Sequence, residues 1–227
     1  MKIKRIAIIV AAGKGLRMKH QLPKQFHLLN NKPVLYYTIK AFISAFDNIQ
    51  IILVLPGEFM ANGQEIVDGY FDKSRFQLCE GGRTRFHSVQ NGLELVREES
   101  IIFVHDAVRC MVSKELIQRC YDAAVSRGIA IPAVDSKDSL RVVMKNGNKI
   151  IDRQKVKLIQ TPQTFHSKIL LPAYKIDYKV KFTDEASVVE YYGMKVNLVE
   201  GEEKNIKITT PLDLQLAESL LLEHPDQ

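Results

Sequence analysis

Short apolar runs alternate with segments of helical spacing along this chain as far as Val134. Five runs rich in Ile and Val, each bounded by turn residues, are predicted to be buried strands: Arg5–Ala11, Gln50–Leu55, Phe76–Cys79, Ser100–His105 and Ile129–Val134. Helices are predicted at Pro33–Phe46, at Ser113–Arg127, and from the spacing of Phe86, Val89, Leu93 and Val96. This alternation predicts an α/β fold with a mostly parallel, Rossmann-like sheet and helices on both faces.

After Val134 the pattern changes to a predicted β-hairpin, in which Leu140–Met144 and Lys149–Ile151 flank Asn146-Gly147. The hairpin holds too few apolar residues to be stable alone, so we expect an arm at about residues 136–155 that projects onto a second subunit of a homodimer. Further elements are predicted as strands at Lys157–Gln160 and Lys195–Val199, a helix at Asp184–Tyr192 capped by Thr183, and a last helix from Thr210-Pro211. A length of 227 residues with 46% apolar content suits one domain over residues 1–227.

Composition predicts a cytoplasmic protein without a membrane partner. The longest apolar run, Ile6–Ala12, is too short to cross a bilayer as a helix. Lys2-Ile3-Lys4-Arg5 before this run resembles the start of a signal peptide, but no convincing cleavage site follows. The three cysteines form no Cys-x-x-Cys pair, and the six histidines show no metal-binding spacing, so we expect reduced thiols and no protein-caged zinc.

Positive charge is concentrated at the amino end of the chain. The net charge is +6, but residues 1–46 hold nine basic residues and no Asp or Glu, which leaves the remainder at about −3 by subtraction. A focused positive field of this kind suits an anion site, although a plain solvated basic surface is the alternative. A nucleic-acid binder would instead spread basic residues over a wide face with stacking aromatics, and the chain has no Trp.

A glycine loop follows the first predicted strand, within the sequence Ala11-Ala12-Gly13-Lys14-Gly15-Leu16-Arg17-Met18. Gly13 and Gly15 would let backbone N–H groups approach an anion, and Arg17 and Lys24 favour a polyphosphate over a plain tight turn. The loop is not a Walker loop, because no Lys-Ser/Thr follows its second glycine. It also lacks the third glycine of the dinucleotide fingerprint, and the first acid is Asp47, so an oxidoreductase is disfavoured.

A second group of candidate residues, His105-Asp106-Ala107-Val108-Arg109, ends a predicted strand, where open α/β sheets bind ligands. Asp106 suits Mg²⁺ or the hydroxyl groups of a substrate, because a carboxylate is a hard oxygen ligand. His105 is a candidate base, but a structural role is favoured. Cys110 is disfavoured as a nucleophile, because no accompanying His or Asn motif is present.

These motifs resemble the cytidylyltransferases that act on methylerythritol 4-phosphate in the non-mevalonate isoprenoid pathway. The resemblance covers nearly the whole length, in order, through the following segments: Ala11–Met18, Pro23–Gln25, Gly81–Arg83, Ser88-Val89, Val104–Arg109, Asp138-Ser139, Asp152-Arg153, Thr161–Gln163, Thr183–Ser187, Glu200-Gly201 and Asn205–Lys207. Val108 and Cys110 depart from the family motif, which usually has Ala and then Arg-Pro, and Ser139 stands where Thr is commoner.

The resemblance implies a nucleotidyltransferase fold and an in-line attack of an acceptor phosphate on the α-phosphorus of CTP, with Mg²⁺ on the triphosphate. It implies catalytic roles for Arg17, Lys24, Arg153 and Lys207. CTP would be bound by Ala11, Ala12, Gly13, Gly15, Gly82, Arg85 and Ser88. The acceptor, a sugar or polyol phosphate, would be bound by Asp106, Arg109, Ser139 and Thr183, with Asp106 also the metal ligand. The hairpin arm would cross to a dimer partner.

A ribitol 5-phosphate cytidylyltransferase is the alternative, because such enzymes share the nucleotide loop and often have Val at the position of Val108. The segment from Thr183 to Gly193 resembles the methylerythritol phosphate enzymes more closely. The acceptor is therefore assigned by resemblance, and physical argument from the residues leaves the choice of polyol open.

Overall fold

A central sheet flanked by helices organises the computed structural model, which describes residues 3–13 and 22–223. The strands are β1 (Lys4–Val10), β2 (Leu28–Leu29), β3 (Lys32–Pro33), β4 (Gln50–Leu55), β5 (Phe76–Glu80), β6 (Ser100–Asp106), β7 (Ile129–Asp135), β8 (Leu140–Met144), β9 (Gly147–Ile151), β10 (Lys157–Ile159), β11 (Gln163–His166) and β12 (Leu198–Glu200). The helices are α1 (Val34–Ala45), α2 (Met60–Tyr70), α3 (Arg85–Leu93), α4 (Lys114–Arg127), α5 (Ser167–Ala173), α6 (Glu185–Tyr191) and α7 (Pro211–Glu223).

Half of the main sheet is parallel, as the strand–helix alternation predicts. The strand order begins β5-β4-β1-β6, and all three pairings are parallel, with Ile8 of β1 opposite Ile52 of β4 and Val104 of β6. All seven residues of β6 are buried, which explains why its middle part, Ile101–Val104, is a continuous apolar run. The α/β fold class with a mostly parallel sheet is therefore confirmed.

The other half of the sheet contains antiparallel strands, which the strand–helix alternation does not predict. β11 lies antiparallel between β6 and β7, and β10 pairs antiparallel with β7, while β12 pairs with β7 in parallel. The predicted strand at Lys157–Gln160 is present as β10, and the sequence pattern did not specify its antiparallel direction. β11 was not predicted because its sequence, QTFH, is too short and too polar to stand out as an apolar run.

Helices cover both faces of the sheet because alternate side chains of each strand point to opposite faces. Ala7 and Ile9 of β1 belong to the apolar cluster formed with α1, α2 and α4. Ile6 and Ile8 belong to the cluster formed with α3, α5 and α6. A third, smaller cluster packs α7 against Leu29 and the segment after β6.

The hairpin arm has the predicted strands and projects from the sheet. β8 and β9 pair only with each other among the described residues, and Gly147 takes a positive φ of 108° in the turn. The arm exposes apolar side chains, including Val143 at 85% and Ile150 at 65%. Along the pairing register these two residues lie on the same face of the hairpin.

Local boundaries show one further correction. Thr183 was expected to cap α6, but the N-cap is Asp184, whose carboxylate accepts from the backbone N–H of Ser187 in a capping box. Ser113 caps α4, as predicted. Two helices, α2 and α5, were not predicted.

Within residues 3–13 and 22–223, no helix is long and apolar enough to span a membrane.

Candidate active site

The first predicted site segment lies where β1 ends. Ala11, Ala12 and Gly13 follow this strand, and the backbone N–H of Ala11 donates to the carbonyl oxygen of Val54 at 2.8 Å. Gly15 and Arg17 lie outside the described residues. The carboxyl ends of β1, β4 and β6 meet at this edge, which is where open α/β sheets bind ligands.

A glycine pair after β5 packs against this segment. A Cβ at Gly81 would overlap the Cβ of Ala12, and a Cβ at Gly82 would overlap His87 at the start of α3. The hydroxyl of Ser88 accepts from the N–H of Gly82 at 3.1 Å and donates to the carbonyl oxygen of Thr84 at 3.0 Å. The structure thus brings Ala12, Gly82 and Ser88 together, and both glycines are required by close packing.

Lys24 and Gln25 form a short 3-10 turn and are both buried. The ammonium group of Lys24 donates to the carbonyl oxygens of Ile208 at 3.3 Å and Thr209 at 3.4 Å. The amide of Gln25 donates to the carbonyl oxygen of Ala11 at 2.5 Å. This turn therefore joins the loop after β1 to the segment that precedes α7.

Asp106, at the end of β6, is a buried acid at the centre of a cluster of charges. Arg85 donates through Nε to Asp106 Oδ1 at 3.1 Å, and Lys207 Nζ lies 2.7 Å from Oδ2. Burial alone would raise the pKa of the Asp106 carboxyl, but Arg85 and Lys207 outweigh it and hold that pKa well below its usual range. Asp106 is therefore a carboxylate at neutral pH.

Arg85 is shared between two acids. In addition to Asp106, its Nη1 and Nη2 contact both carboxylate oxygens of Glu185, at 2.5 and 3.0 Å. Resemblance assigns Arg85 to CTP binding and Asp106 to the acceptor, and the contacts join these two residues.

His105 supports the backbone at the end of β6. Its Nε2 lies 3.1 Å from the carbonyl oxygen of Arg109, which can only accept, so Nε2 carries the proton. The Thr161 hydroxyl donates to Nδ1 at 2.9 Å and accepts from the N–H of Asp106 at 3.2 Å. Burial lowers the pKa of His105 to about 4, so the imidazole is neutral at pH 7 and acts structurally.

Arg109 ends the tight turn after β6, in which its backbone N–H donates to the carbonyl oxygen of Asp106 at 3.0 Å. Its Nη1 donates to the carbonyl oxygen of Asn205 at 2.8 Å, and the Asn205 amide donates to the carbonyl oxygen of Thr161 at 2.8 Å. Burial raises the pKa of the neighbouring Cys110 thiol to about 12, so this residue is not a thiolate nucleophile.

The remaining predicted site residues lie at the edge of this cluster or away from it. Thr183 is exposed two residues before Glu185, and its N–H donates to the Ser187 hydroxyl at 3.2 Å. Ser139 and Arg153 are exposed at the root of the arm, where Arg153 Nη1 donates to the carbonyl oxygen of Lys137 at 2.7 Å. No contact recorded among the described residues joins these two to Asp106.

Asp106 is the candidate metal ligand. In the described ranges, no group of three or more His, Cys, Asp or Glu side chains converges to hold an ion. A carboxylate has about four acceptor positions, so Asp106 retains capacity for one more partner beside Arg85 and Lys207. Such a residue fits Mg²⁺ that is held mainly by substrate phosphates and water, with one protein carboxylate.

Three residues without a predicted role prove central to the geometry. Gln25, Thr161 and Glu185 were read only as parts of motifs, yet each is buried and bonded to a residue of the site. Glu185 offered a signal, because it is an acid at the start of a helix whose following residues are apolar.

Known proteins of one family match this chain over almost its full length. The family model for IspD, 2-C-methyl-D-erythritol 4-phosphate cytidylyltransferase, matches residues 5–223. The enzyme of that name from Phocaeicola vulgatus is 46% identical over 217 residues, covering 96% of this chain and 99% of the relative. The corresponding enzyme from Porphyromonas gingivalis W83 is 45% identical over 222 residues, covering 97% and 99%.

Solved structures agree with the sequence matches. The 4-diphosphocytidyl-2C-methyl-D-erythritol synthase of Anaerococcus prevotii superimposes with a TM-score of 0.83 at 29% identity, covering 97% of this chain and 99% of that one. The Francisella tularensis 2-C-methyl-D-erythritol 4-phosphate cytidylyltransferase gives a TM-score of 0.81 at 34% identity, covering 95% and 99%. The fold, the sequence and the arrangement of motifs therefore agree, and this chain belongs to the 2-C-methyl-D-erythritol 4-phosphate cytidylyltransferase family.

Proposed function

We propose that this enzyme transfers a cytidylyl group from CTP to 2-C-methyl-D-erythritol 4-phosphate, giving 4-diphosphocytidyl-2-C-methyl-D-erythritol and pyrophosphate. The observation that carries the proposal is the gathering of Arg85, Arg109 and Lys207 around Asp106, beside the glycine pair after β5. Cations at this edge of the sheet suit two phosphate-bearing substrates that have to meet there.

The chemistry of this transfer explains why the site is rich in cations. The attacking oxygen belongs to the acceptor phosphate and is already anionic, so a strong general base is unnecessary. The phosphate oxygen forms a bond to the α-phosphorus as the bond to pyrophosphate breaks, in line with the attack. The site has to hold two anions together and stabilise the charge on the α-phosphate oxygens.

Lys24 and Arg17 are assigned to the triphosphate and the transition state. The ammonium group of Lys24 donates to the carbonyl oxygens of Ile208 and Thr209, the two residues that follow Lys207 in the sequence. A positioned ammonium group needs little reorganisation as charge develops, which is the basis of electrostatic catalysis.

The two substrates are assigned to neighbouring parts of the site. CTP is assigned to the loop residues Ala11, Ala12, Gly13 and Gly15 and to Gly82 and Ser88, with Arg85 between the two substrates. The acceptor is assigned to Asp106, Arg109, Ser139 and Thr183, and its phosphate to Arg153 and Lys207. Mg²⁺, bound to the triphosphate with Asp106 as its protein ligand, would neutralise part of the phosphate charge.

The protein is proposed to act as a cytoplasmic homodimer, in a single domain over residues 1–227. Val143 and Ile150 expose apolar surface on the arm, and a second copy of this chain would cover it. Because Ser139 and Arg153 lie at the arm root, such a dimer would bring them toward an acceptor site that includes the partner's residues.

The test is to incubate the purified protein with CTP and Mg²⁺ plus one acceptor at a time, and to follow pyrophosphate release. Release with methylerythritol 4-phosphate alone supports the proposal. Release with ribitol 5-phosphate alone would assign the protein to the alternative cytidylyltransferase. No release with either acceptor, from folded protein that binds CTP, would overturn both assignments of the acceptor.

A further inference from the structure

Glu185 is a buried carboxylate that lies behind the site. Its side chain is 0% exposed, and its two oxygens receive Arg85 Nη1 and Nη2 at 2.5 and 3.0 Å. The Tyr174 hydroxyl donates to Oε1 at 3.1 Å. Two parallel N–H···O bonds between planar groups fix orientation as well as distance, so Glu185 sets the plane of the Arg85 guanidinium.

The orientation of Arg85 determines how it meets Asp106. Its end face, formed by Nη1 and Nη2, is occupied by Glu185. Its side face, formed by Nε and Nη2, lies 3.1 Å from Asp106 Oδ1. Oδ2 of Asp106 is contacted by Lys207 at 2.7 Å. Arg85 therefore engages one oxygen of Asp106 and leaves the second oxygen to another group.

Glu185 is itself held in place by α6. It is the first residue of that helix, directly after the Asp184 capping box. The amide of Gln163 donates to Asp184 Oδ2 at 2.9 Å and accepts from the N–H of Ala186 at 2.8 Å. Because these bonds flank Glu185 on both sides, its carboxylate is a fixed anchor for Arg85.

We propose that Glu185 is a positioning residue for the acceptor: it turns Arg85 so that Arg85 binds only Oδ1 of Asp106. Oδ2, which also contacts Lys207, then keeps a lone pair for the acceptor's hydroxyl groups. Without the Glu185 carboxylate, Nη1 and Nη2 of Arg85 are free to bond to both oxygens of Asp106. Guanidinium and carboxylate groups favour this bidentate arrangement. Asp106 would then be closed to the acceptor. This inference rests on the proposed assignment of Asp106 to acceptor binding.

The first test is Glu185→Gln, which keeps the size of the side chain and removes its charge. We expect the KM for the acceptor to rise about tenfold, within the usual range of coupling between neighbouring groups. Turnover at saturating acceptor, and the Kd of CTP alone measured by calorimetry, should both stay within about threefold, because the lost interaction concerns acceptor binding. An unchanged acceptor KM would overturn the proposal.

A double variant tests whether Glu185 acts through Arg85. In an Arg85→Gln background, adding Glu185→Gln should leave the acceptor KM unchanged, since the group that Glu185 orients is already absent. The double variant also removes both buried charges together, so it remains a fair test if the single Glu185 variant fails to fold. A further tenfold rise in the acceptor KM in this background would contradict action through Arg85.

Tyr174→Phe is the matched control, because it removes the other hydrogen bond to Glu185 and leaves Arg85 in place. It should lower the midpoint of urea unfolding while the acceptor KM stays within about twofold. A tenfold rise in KM in this variant would point to a general packing defect and overturn the positioning role. Wild-type protein that forms no product with any acceptor would instead overturn the proposed function.

Discussion

The ammonium nitrogen of Lys24 lies 3.3 Å from the carbonyl oxygen of Ile208, a residue 184 positions later in the chain. The turn that presents this carbonyl is itself fixed, because the Asp213 carboxylate accepts from the N–H groups of Thr209 at 2.8 Å and Thr210 at 2.7 Å. Lys24 is therefore fixed both by its own turn and by the segment that precedes α7. The carbonyl oxygens of this segment keep the ammonium group at this edge of the sheet.

We expect Lys24→Ala to lower turnover by about 10²–10³-fold, the usual effect of removing one preorganised donor from a site where negative charge develops. Steady-state pyrophosphate release measures this effect. Lys114→Ala removes an exposed lysine at the start of α4 and should keep the wild-type rate. A Lys24 variant that retains more than a tenth of the rate contradicts the catalytic role.

Gly82→Ala should weaken CTP binding, since a Cβ at this position would overlap His87 and displace the loop held by Ser88. We expect the KM for CTP to rise about tenfold, a loss typical of one or two hydrogen bonds to a ligand. Gly69→Ala is the control, because nothing lies within 4 Å of its added Cβ. That variant should leave KM unchanged and stabilise α2 by up to about 1 kcal/mol. An equal KM for CTP in the two variants would contradict a role of the Gly82 loop in CTP binding.

His105 should make the stability of the protein depend on pH between about 4 and 6.5. Its pKa is lowered by burial to about 4 in the folded protein, whereas in the unfolded chain it is near the ordinary value of about 6.5. The unfolded state therefore takes up the proton first. Stability from the neutral imidazole is fully present above pH 6.5 and is lost as the pH falls toward 4, by up to about 3 kcal/mol.

Urea unfolding of wild type and His105→Gln at pH 7.5 and pH 5 measures this dependence. The variant keeps a side chain able to bond Thr161 and Arg109 but does not titrate, so its free energy of unfolding should change less between the two pH values. Equal pH dependence in the two proteins would show that His105 does not carry the effect. Groups other than His105 titrate in both proteins, so their contributions to the free energy of unfolding cancel in the comparison.

Val143→Asp should disrupt the proposed dimer, because it places a charge where Val143 and Ile150 expose apolar surface on the arm. We expect sedimentation velocity at micromolar concentration to show wild type as a dimer and the variant as a monomer. Val180→Asp is the matched control, because Val180 is 87% exposed and Val143 is 85% exposed. The Val180→Asp protein should remain dimeric. A monomeric wild type, or a dimeric Val143 variant, would argue against the arm as the interface.

The sequence predicted those parts of the fold that are determined by local patterns. The strands around Ile8, Leu53 and Val104 are continuous apolar runs because both faces of each strand are buried, and the Asn146-Gly147 turn carries its own hairpin signal. β11 was missed because its register depends on β6 and β7, which are distant in sequence, and not on its own four residues.

The site could be predicted only in part for a similar reason. Resemblance implies site roles for Asp106 and Lys207, and the structure pairs their side chains at 2.7 Å. Glu185 was missed because an acid in the first turn of a helix normally faces solvent and favours the positive end of the helix dipole, and only the packed fold shows it facing Arg85. The cap of α6 was misplaced by one residue because Thr183 and Asp184 are both good caps.

The arm leaves and re-enters the sheet at one point. Asp135 at the end of β7 is the antiparallel partner of Lys157 at the start of β10, and their side chains form an ion pair at 2.5 Å. Antiparallel partners lie about 5 Å apart, so any insertion whose ends span that distance fits the same sheet without changing its register. The part of the arm between Ser139 and Arg153 is consequently a module: its length and surface can diverge, or be exchanged by design, independently of the strands that carry the active site.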